Sequence, residues 1–192
     1  MTAITVNFSP AIELTDEQFY HICRSNTDVK FERNATGELI IMPPTGGETG
    51  KHNAEMLIDF GIWNRQTKLG VLFDSSTCFK LPNGADRSPD IAWIRQDRWD
   101  ALTAEEKEKF PAIAPDFVVE LMSPSDNLKD LRLKMREYID NQVKLGWLIN
   151  RKTRQVEIYR LGQAVEILEC PAELSGENIL PGLMLNLQAL WG

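Results

Sequence analysis

The sequence predicts an α/β fold, and three stretches between Ser88 and Asn150 carry that prediction. Ser88-Pro89-Asp90-Ile91-Ala92-Trp93-Ile94 and Pro115-Asp116-Phe117-Val118-Val119-Glu120-Leu121 have the β-branched and aromatic content of buried strands. Each also places an acid where a core favours an apolar group. The residues after the second stretch have helical periodicity, and Leu145-Gly146-Trp147-Leu148-Ile149 is a third apolar run. The order strand, strand, helix, strand, with acids on the inner strands, points to a metal–carboxylate site. Asp90 and Glu120 are its candidate ligands.

The remaining elements follow in order. Residues 1–14 read as an extended lead-in. Thr15, with Gln18 three residues later, is a capping-box start for a helix reaching about Cys23. Phe31 to Met42 reads as an N-terminal hairpin turning at Asn34–Gly37, with Glu32 and Glu38 on its solvated flanks. A helix from His52 to about Lys68 presents Met56, Leu57, Phe60, Ile62 and Trp63 as an apolar face. Val71–Asp74 and Thr77–Leu81 are short strands, and Asp86 lies in the loop before the Asp90 strand. Between the acid strands, Arg95 to Ala114 is a surface excursion with a polar helix over 101–110. Ser123-Pro124-Ser125-Asp126 supplies a turn and cap for a helix over 128–140, buried through Leu131, Met135 and Tyr138, with Lys134 beside that stripe. Gln155–Arg160 and Ala164–Glu169 form a C-terminal β-hairpin extension. The apolar tail around Leu183, Leu185, Leu187 and Trp191 suits either core packing or a homodimer interface.

With 192 residues, 43% hydrophobic and 26% charged, the chain fits a single globular domain over 1–192. A net charge of −7 excludes a protein that coats nucleic acid through bulk charge. The basic residues nevertheless concentrate after the acid strands, at Lys129, Arg132, Lys134 and Arg136, a candidate nucleic-acid-binding face. Cys23, Cys78 and Cys170 are distant and odd in number, which suits free thiols in a reducing cytoplasm. No stretch approaches membrane-spanning length, so no membrane partner is expected. Thr45-Gly46-Gly47-Glu48-Thr49-Gly50-Lys51-His52 nearly spells a phosphate-binding loop. Thr45 replaces its first glycine, however, and His52 its magnesium-binding hydroxyl. A mobile glycine-rich loop at the mouth of a site is the reading that remains.

Glu38, Asp90, Glu120, Ser123-Pro124-Ser125-Asp126, Lys134 and Tyr138, in this order and spacing, resemble the Uma2 family. The likeness extends to Gly37-Glu38-Leu39, the glycine-rich segment ending at His52, Pro89-Asp90-Ile91, and Trp147-Leu148-Ile149. That bacterial family, abundant in cyanobacteria, is assigned to the PD-(D/E)XK, restriction-endonuclease-like superfamily. The resemblance implies a restriction-endonuclease-like core, with a mixed central β-sheet flanked by α-helices. It also implies Mg²⁺-dependent endonuclease activity on DNA, with Mn²⁺ as a substitute. Asp90 and Glu120 would be the metal ligands, a role that suits hard oxygen donors. Lys134 would stabilise the transition state. Glu38, His52 and Glu55 are secondary candidates. One departure stands out: the superfamily lysine two residues after the glutamate is Met122 here, so Lys134 would act from the following helix. The alternative is a nuclease-fold module that binds nucleic acid or a protein without efficient chemistry.

Overall fold

The computed structural model describes residues 3–191. Strand β1 (Ile4–Val6) leads to helix α1 (Asp16–Ser25), whose capping box joins Thr15 and Gln18 in both directions. Strands β2 (Lys30–Arg33) and β3 (Leu39–Met42) form the expected hairpin, with Gly37 at φ +82° in its turn. Only glycine adopts that conformation at little cost.

Helix α2 (Gly47–Thr67) begins earlier than the glycine content suggests. Gly46 is its N-cap, and Gly47 to Lys51 form its first turns rather than a mobile loop. Each glycine costs a helix about 1 kcal/mol relative to alanine. Tertiary burial of Thr49, His52, Met56, Phe60 and Trp63 along the same helix offsets that cost. Ile62 does not share the buried face; it is 51% exposed, as is Ile58 at 60%.

Strands β4 (Gly70–Asp74), β5 (Phe79–Lys80), β6 (Asp86–Arg87) and β7 (Ile91–Arg95) follow. The excursion holds two short helices, α3 (Gln96–Asp100) and α4 (Ala104–Glu108), where the sequence suggested one. Thr103 and Glu106 form a second capping box that starts α4 afresh. Strand β8 (Phe117–Leu121) precedes α5 (Leu128–Asp140), whose N-cap is Asn127. Asp126 instead closes the preceding turn by accepting from the Ser123 N–H at 2.8 Å. Strands β9 (Leu145–Asn150), β10 (Gln155–Arg160), β11 (Glu166–Glu169), β12 (Glu173–Ser175) and β13 (Met184–Asn186) complete the chain with helix α6 (Gln188–Trp191).

The central sheet has the order β11-β10-β9-β8-β7-β4. It is mixed: β8 and β9 run parallel, joined through α5, while the other pairs are antiparallel. A second, antiparallel sheet has the order β1-β3-β2-β6-β5. Alternation along β8 sends Phe117, Val119 and Leu121 into a core shared with α2 and the C-terminal tail. Val118 points the other way, into the core beneath α5 with Met135 and Tyr138. Leu183, Leu185, Leu187 and Trp191 are all buried in the first of these cores, so the tail is spent on packing within the chain. Among the described residues no helix is long and apolar enough to cross a membrane.

Candidate active site

Strand register brings the two acids of the inner strands face to face. Ile91 pairs with Val119 in the antiparallel β7–β8 ladder. One step beyond that pair, Asp90 and Glu120 stand opposite each other at the end of the ladder. Asp90 Oδ2 accepts the Leu121 N–H at 2.8 Å, which fixes its carboxylate against β8. Asp90 Oδ1 accepts from Asn53 Nδ2, on α2, at 3.2 Å. Like charges directly across a strand pair are destabilising unless something neutralises them.

The neutralising charge comes from α5. Glu120 shares the β8 face of Val118, so it meets Lys134 and Tyr138, one turn apart on that helix. Lys134 Nζ lies 2.8 Å from Glu120 Oε1, and the Tyr138 hydroxyl donates to the same oxygen at 2.9 Å. Lys134 also donates to Glu32 Oε1 at 2.8 Å. Glu32 is 2% exposed, not solvated as its hairpin position suggests. It further accepts from Arg87 Nη1 at 3.1 Å and the Ser88 N–H at 3.0 Å. Arg87 in turn pairs with Glu137 at 2.5 Å. The second sheet is therefore clamped to α5 by a buried chain of alternating charges running from Glu137 to Glu120.

These contacts set the protonation states. Burial pushes the Glu120 carboxyl up to about 7, with Asp90 and Glu32 adding to the rise and Lys134 opposing it. Burial also raises Asp90, partly offset by the Leu121 N–H. Burial works against the charge on Lys134, but Glu120 and Glu32 outweigh it and hold the ammonium well above its ordinary value. Glu32 feels the same burial yet is held down at about 2, because Lys134, Arg87 and Lys30 surround it.

The Uma2 family, described as putative restriction endonuclease, matches residues 16–188. The chain belongs to the Uma2 family. Its fold is shared by a solved structure from Anabaena variabilis ATCC 29413, titled a putative nuclease belonging to DUF820. The two agree with a TM-score of 0.71 at 20% sequence identity, over 84% of this chain and 89% of that one. No curated protein matches the chain.

The other candidates of this Uma2 chain divide clearly. His52 is buried on α2 between residues of its own helix, 3.2 Å from Glu55 and 3.6 Å from Glu48. Glu38 turns its carboxylate to Asn34 and Asn7 within the hairpin region. Arg132 is committed to Glu157 at 2.6 Å, whereas Lys129 and Arg136 are exposed. Asp116, just before β8, is buried between Arg98 and Lys144 at 2.8 and 2.7 Å, at the other end of the strand from Glu120. Glu32, Arg87 and Asn53 are the site neighbours that sequence reasoning missed. No local signal marked them: Glu32, for one, lies among other charges in Lys30-Phe31-Glu32-Arg33.

A divalent cation suits this donor set. Asp90 and Glu120 supply carboxylate oxygens, and a cation between them would stabilise the charged forms that burial disfavours in both. The Asn53 side-chain oxygen beside Asp90 is buried without any hydrogen-bond partner, an unspent hard donor. Among the described residues, no three His, Cys, Asp or Glu side chains converge to hold a metal. Any complete shell must therefore draw on other oxygens or on water.

Proposed function

We propose that this chain is an endonuclease that hydrolyses DNA phosphodiesters with Mg²⁺, or Mn²⁺ in its place, held by Asp90 and Glu120. The observation that carries this reading is the approach of Lys134 Nζ to within 2.8 Å of Glu120 Oε1, from the helix after the acid strand. It supplies a cation where the Met122 position of the usual motif supplies none. The nuclease title of the structural neighbour agrees with it.

When bound, the cation would lower the pKa of a coordinated water and neutralise charge on the scissile phosphate. The chain's own groups divide the remaining work. Asp90 is oriented by the Leu121 N–H, and Tyr138 holds Glu120 in one rotamer. Hydrolysis joins a water oxygen to phosphorus and breaks the bond to a sugar oxygen, so negative charge grows on the phosphoryl group. Lys134, kept protonated by its two carboxylates, stands ready to balance that charge in a site shielded from solvent. Lys129 and Arg136, exposed on α5, offer phosphate contacts that position the strand without reading its sequence.

A binding module without chemistry is the second reading. It is favoured by the absence, among the described residues, of any three His, Cys, Asp or Glu side chains placed to hold a metal. Calorimetric titration with Mn²⁺, followed by plasmid nicking, separates the two using wild type and Glu120→Gln. Binding and nicking that both vanish in the variant support the nuclease. A wild-type protein that binds DNA but takes up no Mn²⁺ overturns it in favour of the module.

A further inference from the structure

Asn53 is the least explained polar group near the site. Its Nδ2 donates to Asp90 Oδ1 at 3.2 Å, while its Oδ1 is buried and accepts nothing. Burying an amide oxygen without a donor costs about 1–3 kcal/mol. Serine or alanine in its place would avoid that cost. Its helix turn is fixed by packing, because the adjacent His52 is buried on the same helix. Asp90 cannot move away either, since its other oxygen is bound to the Leu121 N–H.

We propose that Asn53 is a third oxygen ligand for the divalent cation, completing the set begun by Asp90 and Glu120. The assignment rests on the metal-dependent reading of the site. Without the cation, the amide turns its N–H₂ to Asp90 and leaves its oxygen idle. A half-turn about the last side-chain bond exchanges the two ends. The oxygen then faces the space beside Asp90 that the cation enters. Amide carbonyl oxygens, like carboxylates and water, are suited to Mg²⁺ and Mn²⁺. Asn53 thus screens Asp90 in one state and ligates beside it in the other. A neutral oxygen there adds a ligand without placing a third buried negative charge beside Asp90 and Glu120.

Calorimetric titration of Mn²⁺ alone into the full chain tests this with wild type, Asn53→Leu and Asn53→Ala. A ligand role predicts Mn²⁺ affinity about tenfold weaker or more in both variants, the loss of one oxygen donor from the shell. If Asn53 is only a donor to Asp90, its removal frees Asp90 Oδ1, and affinity holds or tightens. That result overturns the assignment while leaving the metal site standing. Asn53→Ala, which fits wherever asparagine fits, carries the comparison if the leucine variant unfolds. A wild-type protein that binds no Mn²⁺ overturns the proposed function, and the Asn53 assignment falls with it.

Discussion

Replacing Glu32 with glutamine tests the ionic frame beneath the site. The Glu32 carboxylate accepts from Lys134 at 2.8 Å, Ser88 at 3.0 Å and Arg87 at 3.1 Å. Burial opposes its charge, yet the surrounding cations hold its pKa at about 2, against 4.5 for an ordinary glutamate. At about 1.4 kcal/mol per pKa unit, that depression corresponds to roughly 3 kcal/mol of folding free energy at neutral pH. Breaking a buried ion pair by removing one partner costs a similar ~3–5 kcal/mol. The lower figure applies because Lys134 keeps Glu120 and Arg87 keeps Glu137. Since the folded pKa is depressed, the contribution is complete above pH 4.5 and is lost as pH falls through about 2. Denaturant unfolding followed by circular dichroism should show Glu32→Gln less stable by about 3 kcal/mol at pH 7, the gap closing in acid. Glu120→Gln should behave oppositely. Its carboxyl is pushed up to about 7, so its contribution is present below pH 4.5 and lost as pH rises through 7. Above pH 7 the glutamine variant should match or exceed wild-type stability. A Glu32→Gln protein as stable as wild type at pH 7, or a gap unchanged in acid, would refute this account of the frame.

Other outcomes are expected from the same geometry. Because burial raises Glu120 to about 7, Mn²⁺ binding at pH 6–7 should release protons, and affinity should rise toward pH 8. Calorimetry in buffers of different ionisation enthalpy measures that release directly, and heats that do not depend on buffer would count against it. Lys134→Met should reduce plasmid nicking about 100-fold or more, by analogy with loss of one charge-stabilising donor. Its Mn²⁺ affinity should not fall, because the ammonium no longer competes for Glu120; a parallel loss of metal binding would mean that Lys134 only shapes the site. Gly146→Ala should cost about 1–3 kcal/mol of stability from overpacking. Its Cβ would stand 2.6 Å from Met135 Cε and 3.2 Å from Val118 Cγ2, both side chains fully buried. Thermal melting of that variant is the check.

The fold and the heart of the site were legible because they depend on local pattern. Asp90 and Glu120 interrupt apolar strands, and a buried acid is conspicuous in sequence. Tyr138 lies in the buried stripe of α5 and Lys134 beside it, a spacing that any helix enforces. Thr15 with Gln18, and Thr103 with Glu106, announced their helix starts because capping is a contact across three residues. Glu32 was different. Alternation placed it on a hairpin flank, but nothing within the hairpin reveals that a second sheet is clamped onto α5 through that side chain. The first turns of α2 were hidden for a related reason: glycine's low helix propensity is local, whereas the burial of Thr49 and His52 that overrides it is not.

By itself the sequence determined the strand, strand, helix, strand order around the two inner acids, but it read Asp86 as loop where β6 forms. Tertiary structure alone decided which charges meet. Glu32 and Glu120 are joined through Lys134, 102 residues beyond Glu32 in the chain. Asn53 reaches Asp90 across 37 residues. Hydrophobic periodicity specifies which face of an element is buried. It does not specify which other element covers that face, and the protonation states of the site arise from that covering.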